Sequence, residues 1–438
     1  MKNQARTALT FLAPVLLMIF SQGLLSQWKN APQKKILENG LTVIIQNDEA
    51  SSVTVLEILI KGGKKAEPAG KEGLSYLTTR LALEIPDQSK AIELMEKSSR
   101  YMMTTKGDYS VIHIECLSEF LENTLGVFIQ ILEDPLFTGI RIDRIKDYMN
   151  NQRKIEGDDN INVGHLAQMR TFLGNLGYGG SINGEEEALK KLKVRDIEAF
   201  YKNYFWAGNM ILVAVSDLDG EELFGVLQKH FGLFPSKKPA ESSPLLSSDK
   251  SPSDQKETVI EKDTKQAFVS IAFALPKISP KNQALAVLLE NVLGKGPGSR
   301  LWTLRTEKKL AYNVNAQTTI MKEGGILEAY LESDGTKCDA AKEALKNIIQ
   351  ELYDKGISSD ELQEAKTLVK SNFLRANETK DKRTGTFGQF EALGLGFDYF
   401  AKFFGEVDAV TLDEINAYMK EVLNPEKSAL VIVGPKNK

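Results

Sequence analysis

Two stretches decide the fold: LKVRDIEAFYKNYFWAGNMILVAVSDLDG at Leu192–Gly220 and VTLDEINAYMKEVLNPEKSALVIVGP at Val410–Pro435. In each, a short amphipathic helix pattern with acidic residues near its start carries an aromatic pair or its equivalent, Phe200/Tyr201 and Tyr418/Met419. A turn follows, then an apolar strand, Met210–Val215 in one and Ala429–Val433 in the other. A second pair lies upstream. Residues 141–179 and 358–397 share a helix register and a Gly-rich end. Two copies roughly 200 residues apart are too few and too long for a solenoid, so the pattern predicts a duplicated domain.

Between the copies runs FPSKKPAESSPLLSSDKSPSDQKE from Phe234, rich in Ser, Pro and Lys with almost nothing to bury. It reads as a linker over 235–257, separating a first half at 28–234 from a second at 258–438. Val53–Ile60, Val111–Leu117 and Met210–Val215 are strand candidates in the first half; Phe268–Leu275, Ala311–Met321 and Ile326–Glu332 are candidates in the second. Lys322-Glu323-Gly324-Gly325 between the last two is a hairpin signal. Helical patterns such as Glu119–Leu132 and Ala340–Tyr353 intervene. Hairpins and consecutive helices fit an α+β architecture better than a doubly wound parallel sheet: two similar domains, each a mainly antiparallel sheet with helices packed on one face.

The 438 residues carry 55 Lys+Arg against 59 Asp+Glu, a formal charge of −4, with 42% hydrophobic and 26% charged residues. This composition excludes a disordered chain, a collagen and a multi-span membrane protein. It gives no basic footprint for nucleic acid. Residues 1–26 read as a secretory signal: Lys2 and Arg6, then the apolar run Ala8–Phe20, then Ser21-Gln22-Gly23 at a cleavage site. Export is therefore expected, to the periplasm in a Gram-negative cell; the alternative is a membrane anchor formed by the same segment uncleaved. Cys116 and Cys338 are too few for a disulfide framework. An oxidising compartment permits a bond between them without requiring one.

Three histidines, His113, His165 and His230, are separated by 52 and 65 residues and share no metal-ligand spacing. They read as isolated surface or core imidazoles, and the sequence assigns this chain no metal. No G-x-S-x-G nucleophile signature occurs either. Gly294-Lys295-Gly296-Pro297-Gly298-Ser299 mimics a phosphate loop, but it follows a helical pattern and lacks the G-K-[ST] ending. It reads as a turn between helices.

Two further stretches resemble one family. Gly73-Leu74-Ser75-Tyr76-Leu77-Thr78-Thr79-Arg80-Leu81 and the pattern L-R-x-x-x-x-L-A-Y-x-V spanning Leu304–Val314 are similar to segments of the pitrilysin/insulinase-type (M16) zinc peptidases of the processing-peptidase-like branch. The resemblance covers essentially the whole chain after the signal. It implies two domains that together form one half of a clamshell. Active members carry an inverted H-x-x-E-H motif, with two imidazoles on one helix face and a glutamate base. Laid on this chain, the three positions are Tyr76, Thr79 and Arg80, a degenerate motif. Tyrosine is a poor zinc ligand at neutral pH, threonine cannot take up a water proton, and arginine is a permanent cation. A third ligand would fall near Asn151 to Glu156.

The second motif is intact. In the family, an Arg and a Tyr at the spacing of Arg305 and Tyr312 hydrogen-bond the substrate backbone and the developing oxyanion. The resemblance also implies that Gly296, Gly298 and Ser299 lie near the peptide. Some bacterial members divide the work between an H-x-x-E-H subunit and a sister bearing Arg/Tyr. The expectation is a zinc-free, non-catalytic subunit, inactive alone. It would bind an extended peptide and supply Arg305 and Tyr312 to a partner that holds the zinc; in isolation it could form a homodimer. The alternative is a scaffold or peptide-binding protein of the same fold without proteolytic role.

Overall fold

A computed structural model describes residues 30–85, 87–174, 177–236 and 257–435. The signal segment 1–26 and most of the linker, residues 237–256, lie outside the described residues. At the linker's margins, the Pro235 carbonyl accepts from the Ala207 N–H at 2.8 Å, and Glu257 already pairs with Leu430 in a strand. The second half's sheet thus starts one residue earlier than the sequence suggests.

The first half contains strands β1 Gln33–Ile36, β2 Thr42–Asn47, β3 Val53–Lys61, β4 Arg100–Thr105, β5 Tyr109–Leu117 and β6 Met210–Ser216. Its helices are α1 Leu74–Ala82, α2 Gln88–Glu96, α3 Leu121–Glu133, α4 Gly139–Asp158, α5 Asn160–Leu173, α6 Glu186–Lys191, α7 Val194–Tyr204 and α8 Gly220–Phe231. The second half contains β7 Glu257–Glu261, β8 Gln266–Leu275, β9 Asn313–Met321, β10 Gly324–Asp334 and β11 Ala429–Gly434. Its helices are α9 Pro280–Gly294, α10 Trp302–Thr306, α11 Cys338–Lys355, α12 Ser359–Ala376, α13 Lys380–Leu393, α14 Tyr399–Ala409 and α15 Leu412–Val422.

The first sheet runs β1-β2-β6-β3-β5-β4 and the second β7-β11-β8-β10-β9. In each, one parallel pair (β2 with β6, β7 with β11) interrupts an otherwise antiparallel order. Apart from β1, which has no counterpart in the second half, the two orders correspond strand for strand, as a duplicated domain requires. The β9–β10 hairpin turns through Lys322 and Glu323, with Met321 opposite Gly324.

Strand period places Leu56, Ile58, Ile60, Ile112 and Ile114 on one face of the first sheet, where they pack with Leu125 and Phe128 of α3 and Leu223 and Leu227 of α8. To the helices on one face that the sequence predicts, the structure adds a further layer. Each sheet's opposite face is covered by one helix of the other half. Helix α13 lies on β3 and β6, so that Phe387, Phe390 and Leu393 share a core with Leu59, Val213 and Val215. Helix α5 lies on β8 and β11, where Phe172 meets Ala272 and Ala429.

Polar side chains on these exchanged helices stitch the halves together. Arg383, 2% exposed, donates to Gln46 Oε1 at 3.0 Å, to the Asn377 and Glu378 carbonyls, and to the Asp48 carboxylate. Lys380 Nζ donates to the Ser51 and Val53 carbonyls. Reciprocally, Gln168 Nε2 on α5 donates to Ser270 and to the Ala429 carbonyl. Among the described residues no helix is long and apolar enough to cross a membrane.

Candidate functional site

Helix α1 carries the three degenerate-motif positions. Gly73 at its N-cap has φ +92°, and a Cβ there would lie 3.0 Å from Gly184, Leu189 and Met149, so glycine is required by both conformation and space. The helix start is held by Glu67, whose carboxylate accepts from Gly73 N–H at 3.0 Å, Ser75 N–H at 2.8 Å and Ser75 Oγ at 2.7 Å. This satisfies donors that a helix N-terminus otherwise leaves orphaned. Burial pushes the Glu67 carboxyl up to about 7 against those donors.

A raised folded-state pKa gives a signed prediction. Glu67 keeps its proton in the fold after the unfolded chain has lost it, so stability falls as pH rises from about 4.5 to about 7. Lys64, pushed down to about 8 by burial, titrates in a later window. Unfolding measured between pH 5 and 7.5 is therefore expected to show a loss of about 2 kcal/mol that Glu67→Gln removes. An unchanged pH slope in that variant would mean that the donors at the α1 terminus keep the carboxylate charged.

On the helix, Thr79 is buried and its hydroxyl donates to the Ser75 carbonyl at 2.8 Å. Arg80 is exposed. Tyr76 is half-buried, its phenol pushed up to about 12 by burial beside Tyr148. Glu156 of α4 lies close enough to act on the same phenol, and its Oε1 accepts from Asn183 Nδ2 at 2.9 Å. The structure thus brings the third-ligand region next to Tyr76. A protonated phenol, a hydroxyl spent within its own helix, a guanidinium and one carboxylate do not fit a zinc ion.

Arg305 and Tyr312 lie in the second half. Arg305, on α10, is exposed and holds its guanidinium 5.0 Å from the centroid of the Trp302 ring. Tyr312 directly precedes β9, the edge strand of its sheet, and its backbone N–H donates to the Glu332 carbonyl at 2.8 Å. Its ring is 58% exposed, and its hydroxyl makes no hydrogen bond among the described residues. No hydrogen bond joins Arg305 to Tyr312. Both present donors outward from a fixed backbone.

The Gly-rich turn follows α9 and leads into α10. Gly296 (φ +83°) and Gly298 (φ +92°) are left-handed with open space where a Cβ would be. Ser299 is buried, and its hydroxyl donates to the Gly296 carbonyl at 2.8 Å, closing the turn. Gly294 serves packing: a Cβ there would come within 2.3 Å of the Ala316 nitrogen on β9.

The reading of three isolated imidazoles fails for two of them. His113 on β5 meets Glu57 of β3 and Asp381 of α13. His165 on α5 has its Nδ1 2.5 Å from Glu328 Oε2 on β10, with Gln317 of β9 alongside and the Phe268 and Tyr330 rings edge-on. Spacing could not show either cluster, because the partners come from other strands and from the other half. The available signal was a charge, Glu57 or Glu328, with apolar residues directly on either side of it in the strand. Both thiols are free, Cys116 buried and Cys338 half-buried.

With this geometry in place, comparison with known proteins is decisive for the family. A model described as insulinase (peptidase family M16) matches residues 42–167, and one described as peptidase M16 inactive domain matches residues 191–369. The chain belongs to the M16 peptidase family. The non-peptidase homolog YmxG of Helicobacter pylori is 25% identical over 436 residues, spanning 98% of this M16 chain and 99% of its own. The uncharacterized zinc protease YmxG of Bacillus subtilis is 21% identical over 405 residues, 91% and 97% of the two chains. The crystal structure of a protease from Helicobacter pylori superposes with a TM-score of 0.84 at 17% identity, covering 93% of this chain and 100% of that one. A peptidase M16 inactive domain from Pseudomonas fluorescens gives 0.84 at 19%, covering 93% and 98%. These structures establish the M16 fold. Similarity to a non-peptidase homologue and to the inactive-domain model agrees with the chemistry of α1: this is a non-active M16 family member.

Proposed function

We propose that the chain is the subunit of a two-subunit M16 peptidase that lacks the catalytic metal motif. It would bind an extended peptide and present Arg305 and Tyr312 to a partner bearing H-x-x-E-H. The observation that carries this reading is the contrast between the two motifs. At Tyr76, Thr79 and Arg80 nothing can activate a water, whereas Tyr312 keeps an exposed phenol with no internal partner. A scaffold has no use for an exposed phenol without a hydrogen-bond partner and an exposed guanidinium beside an edge strand. The peptide would add to the edge of a sheet, its carbonyls accepting from main-chain N–H groups, while Tyr312 and Arg305 donate to the amide oxygen being attacked.

The test is peptide cleavage by the purified chain alone and after mixing with an H-x-x-E-H-bearing relative. No cleavage is expected alone. Cleavage is expected on mixing, and one preorganised donor of this kind contributes about 3 kcal/mol at the transition state. Tyr312→Phe in the mixture should therefore slow turnover by about a hundredfold with little change in KM. Equal turnover by the mixed variant would favour the scaffold reading, and cleavage by the chain alone would overturn the proposal.

A further inference from the structure

Glu57, His113 and Asp381 place one carboxylate oxygen, one imidazole nitrogen and a second carboxylate oxygen within 4.8 Å of one another. His113 Nδ1 lies 3.4 Å from Glu57 Oε1 and 3.5 Å from Asp381 Oδ1. An N–H donor bonded to a carboxylate normally stands about 2.7–2.9 Å away when charge assists. Two donors sharing one tetrahedral ion at about 2.0–2.1 Å stand about 3.4 Å apart. One N–H shared between two carboxylates makes two long, weak bonds, whereas a cation between the three serves all of them.

The surroundings support a cation. His113 is 7% exposed, and neither carboxylate pairs with a lysine or arginine among the described residues. Two cations on the same helix as Asp381 have other partners: Lys380 the Ser51 and Val53 carbonyls, Arg383 Gln46 and Asp48. Two negative charges outweigh the roughly half positive charge that the nearby α13 N-terminus contributes. The Asp381 side chain is 57% exposed, which leaves an entry path and room for water to complete the coordination shell.

We infer that Glu57, His113 and Asp381 form a divalent transition-metal site that ties helix α13 of the second half to β3 and β5 of the first. One imidazole and two carboxylates suit Zn²⁺, with Co²⁺ as a spectroscopic substitute, better than Mg²⁺, which prefers oxygen ligands and keeps its waters. Its ligands come from β3, β5 and α13, none of them from the helix α1 that carries the degenerate motif, and its role is to fasten the two halves together. It is independent of the peptidase-subunit proposal.

The experiment titrates the metal-stripped full chain with Zn²⁺ by calorimetry and with Co²⁺ by visible absorption, Mg²⁺ serving as control. One ion per chain is expected, with a Co²⁺ spectrum of nitrogen and oxygen ligands without sulfur. His113→Ala and the surface variant Asp381→Asn should each weaken binding about tenfold or more, while His165→Ala leaves it unchanged. Zn²⁺ should raise the Tm of the wild type and not that of Asp381→Asn. Asp381→Asn alters a half-exposed side chain, so loss of binding there is not loss of the fold. Absence of stoichiometric binding, or wild-type affinity in both site variants, overturns the inference. The histidine would then be held between the two acids by hydrogen bonds alone.

Discussion

Arg383→Met is expected to lower unfolding stability by about 4 kcal/mol, the range observed when one partner of a buried charge pair is removed. The guanidinium is almost fully enclosed and satisfies four acceptors, two of them on the first half. Methionine fills much of the volume but supplies no donor. The Gln46 amide oxygen, two carbonyls and the Asp48 carboxylate would then compete for water at a packed interface. Denaturant unfolding followed by circular dichroism reads the change as a shift in midpoint at constant slope. Adding Asp48→Asn should restore part of the loss, because it removes the uncompensated charge. A loss below about 1 kcal/mol would place Arg383 with ordinary surface pairs and remove its role in joining the halves.

Gly164→Ala should destabilise by about 3 kcal/mol, opposite in sign to the usual effect. In an unobstructed helix, alanine in place of glycine gains about 1 kcal/mol. At Gly164, on α5, a Cβ would fall 2.1 Å from Phe268 Cε1 and 2.4 Å from Cδ1. The Phe268 ring is fully buried, packed against Tyr330, Val431 and Val433, and has no room to retreat. Overpacking of this kind costs about 1–3 kcal/mol, and the helix must lift off the sheet to relieve it. The double variant Gly164→Ala with Phe268→Leu should recover most of what the single change loses, a coupling that a thermodynamic cycle isolates. A stabilised Gly164→Ala would show that α5 does not press on β8 as described.

Much of the fold was legible. Runs such as Val53–Ile60 and Met210–Val215 are apolar and β-branched because they sit mid-sheet, buried on both faces, and their composition announces it. The edges were harder. β4, RYMMTT, and β7, ETVIE, alternate weakly and owe their conformation to neighbours distant in sequence. The helix exchange was hidden for a different reason. Lys380, Arg383 and Gln168 look like solvent-facing residues, and Gly164, Gly385 and Gly388 look like weak points, until a sheet from the other half lies against them. At the candidate site, Tyr76, Thr79 and Arg80 were picked out by one local pattern and Arg305 and Tyr312 by another. Glu67, Glu57 and Glu328 were missed because their roles arise from burial and from partners that only the tertiary structure supplies.

The reciprocal loan of α5 and α13 has a consequence for how such a chain came to exist. Neither sheet is closed by its own helices, so a polypeptide of half this length would leave one side of its sheet bare and one helix without a seat. Two copies of that shorter polypeptide would supply each other's missing layer. A chain that carries both units end to end closes both sheets within one molecule, and each moiety is then at liberty to differ from its twin.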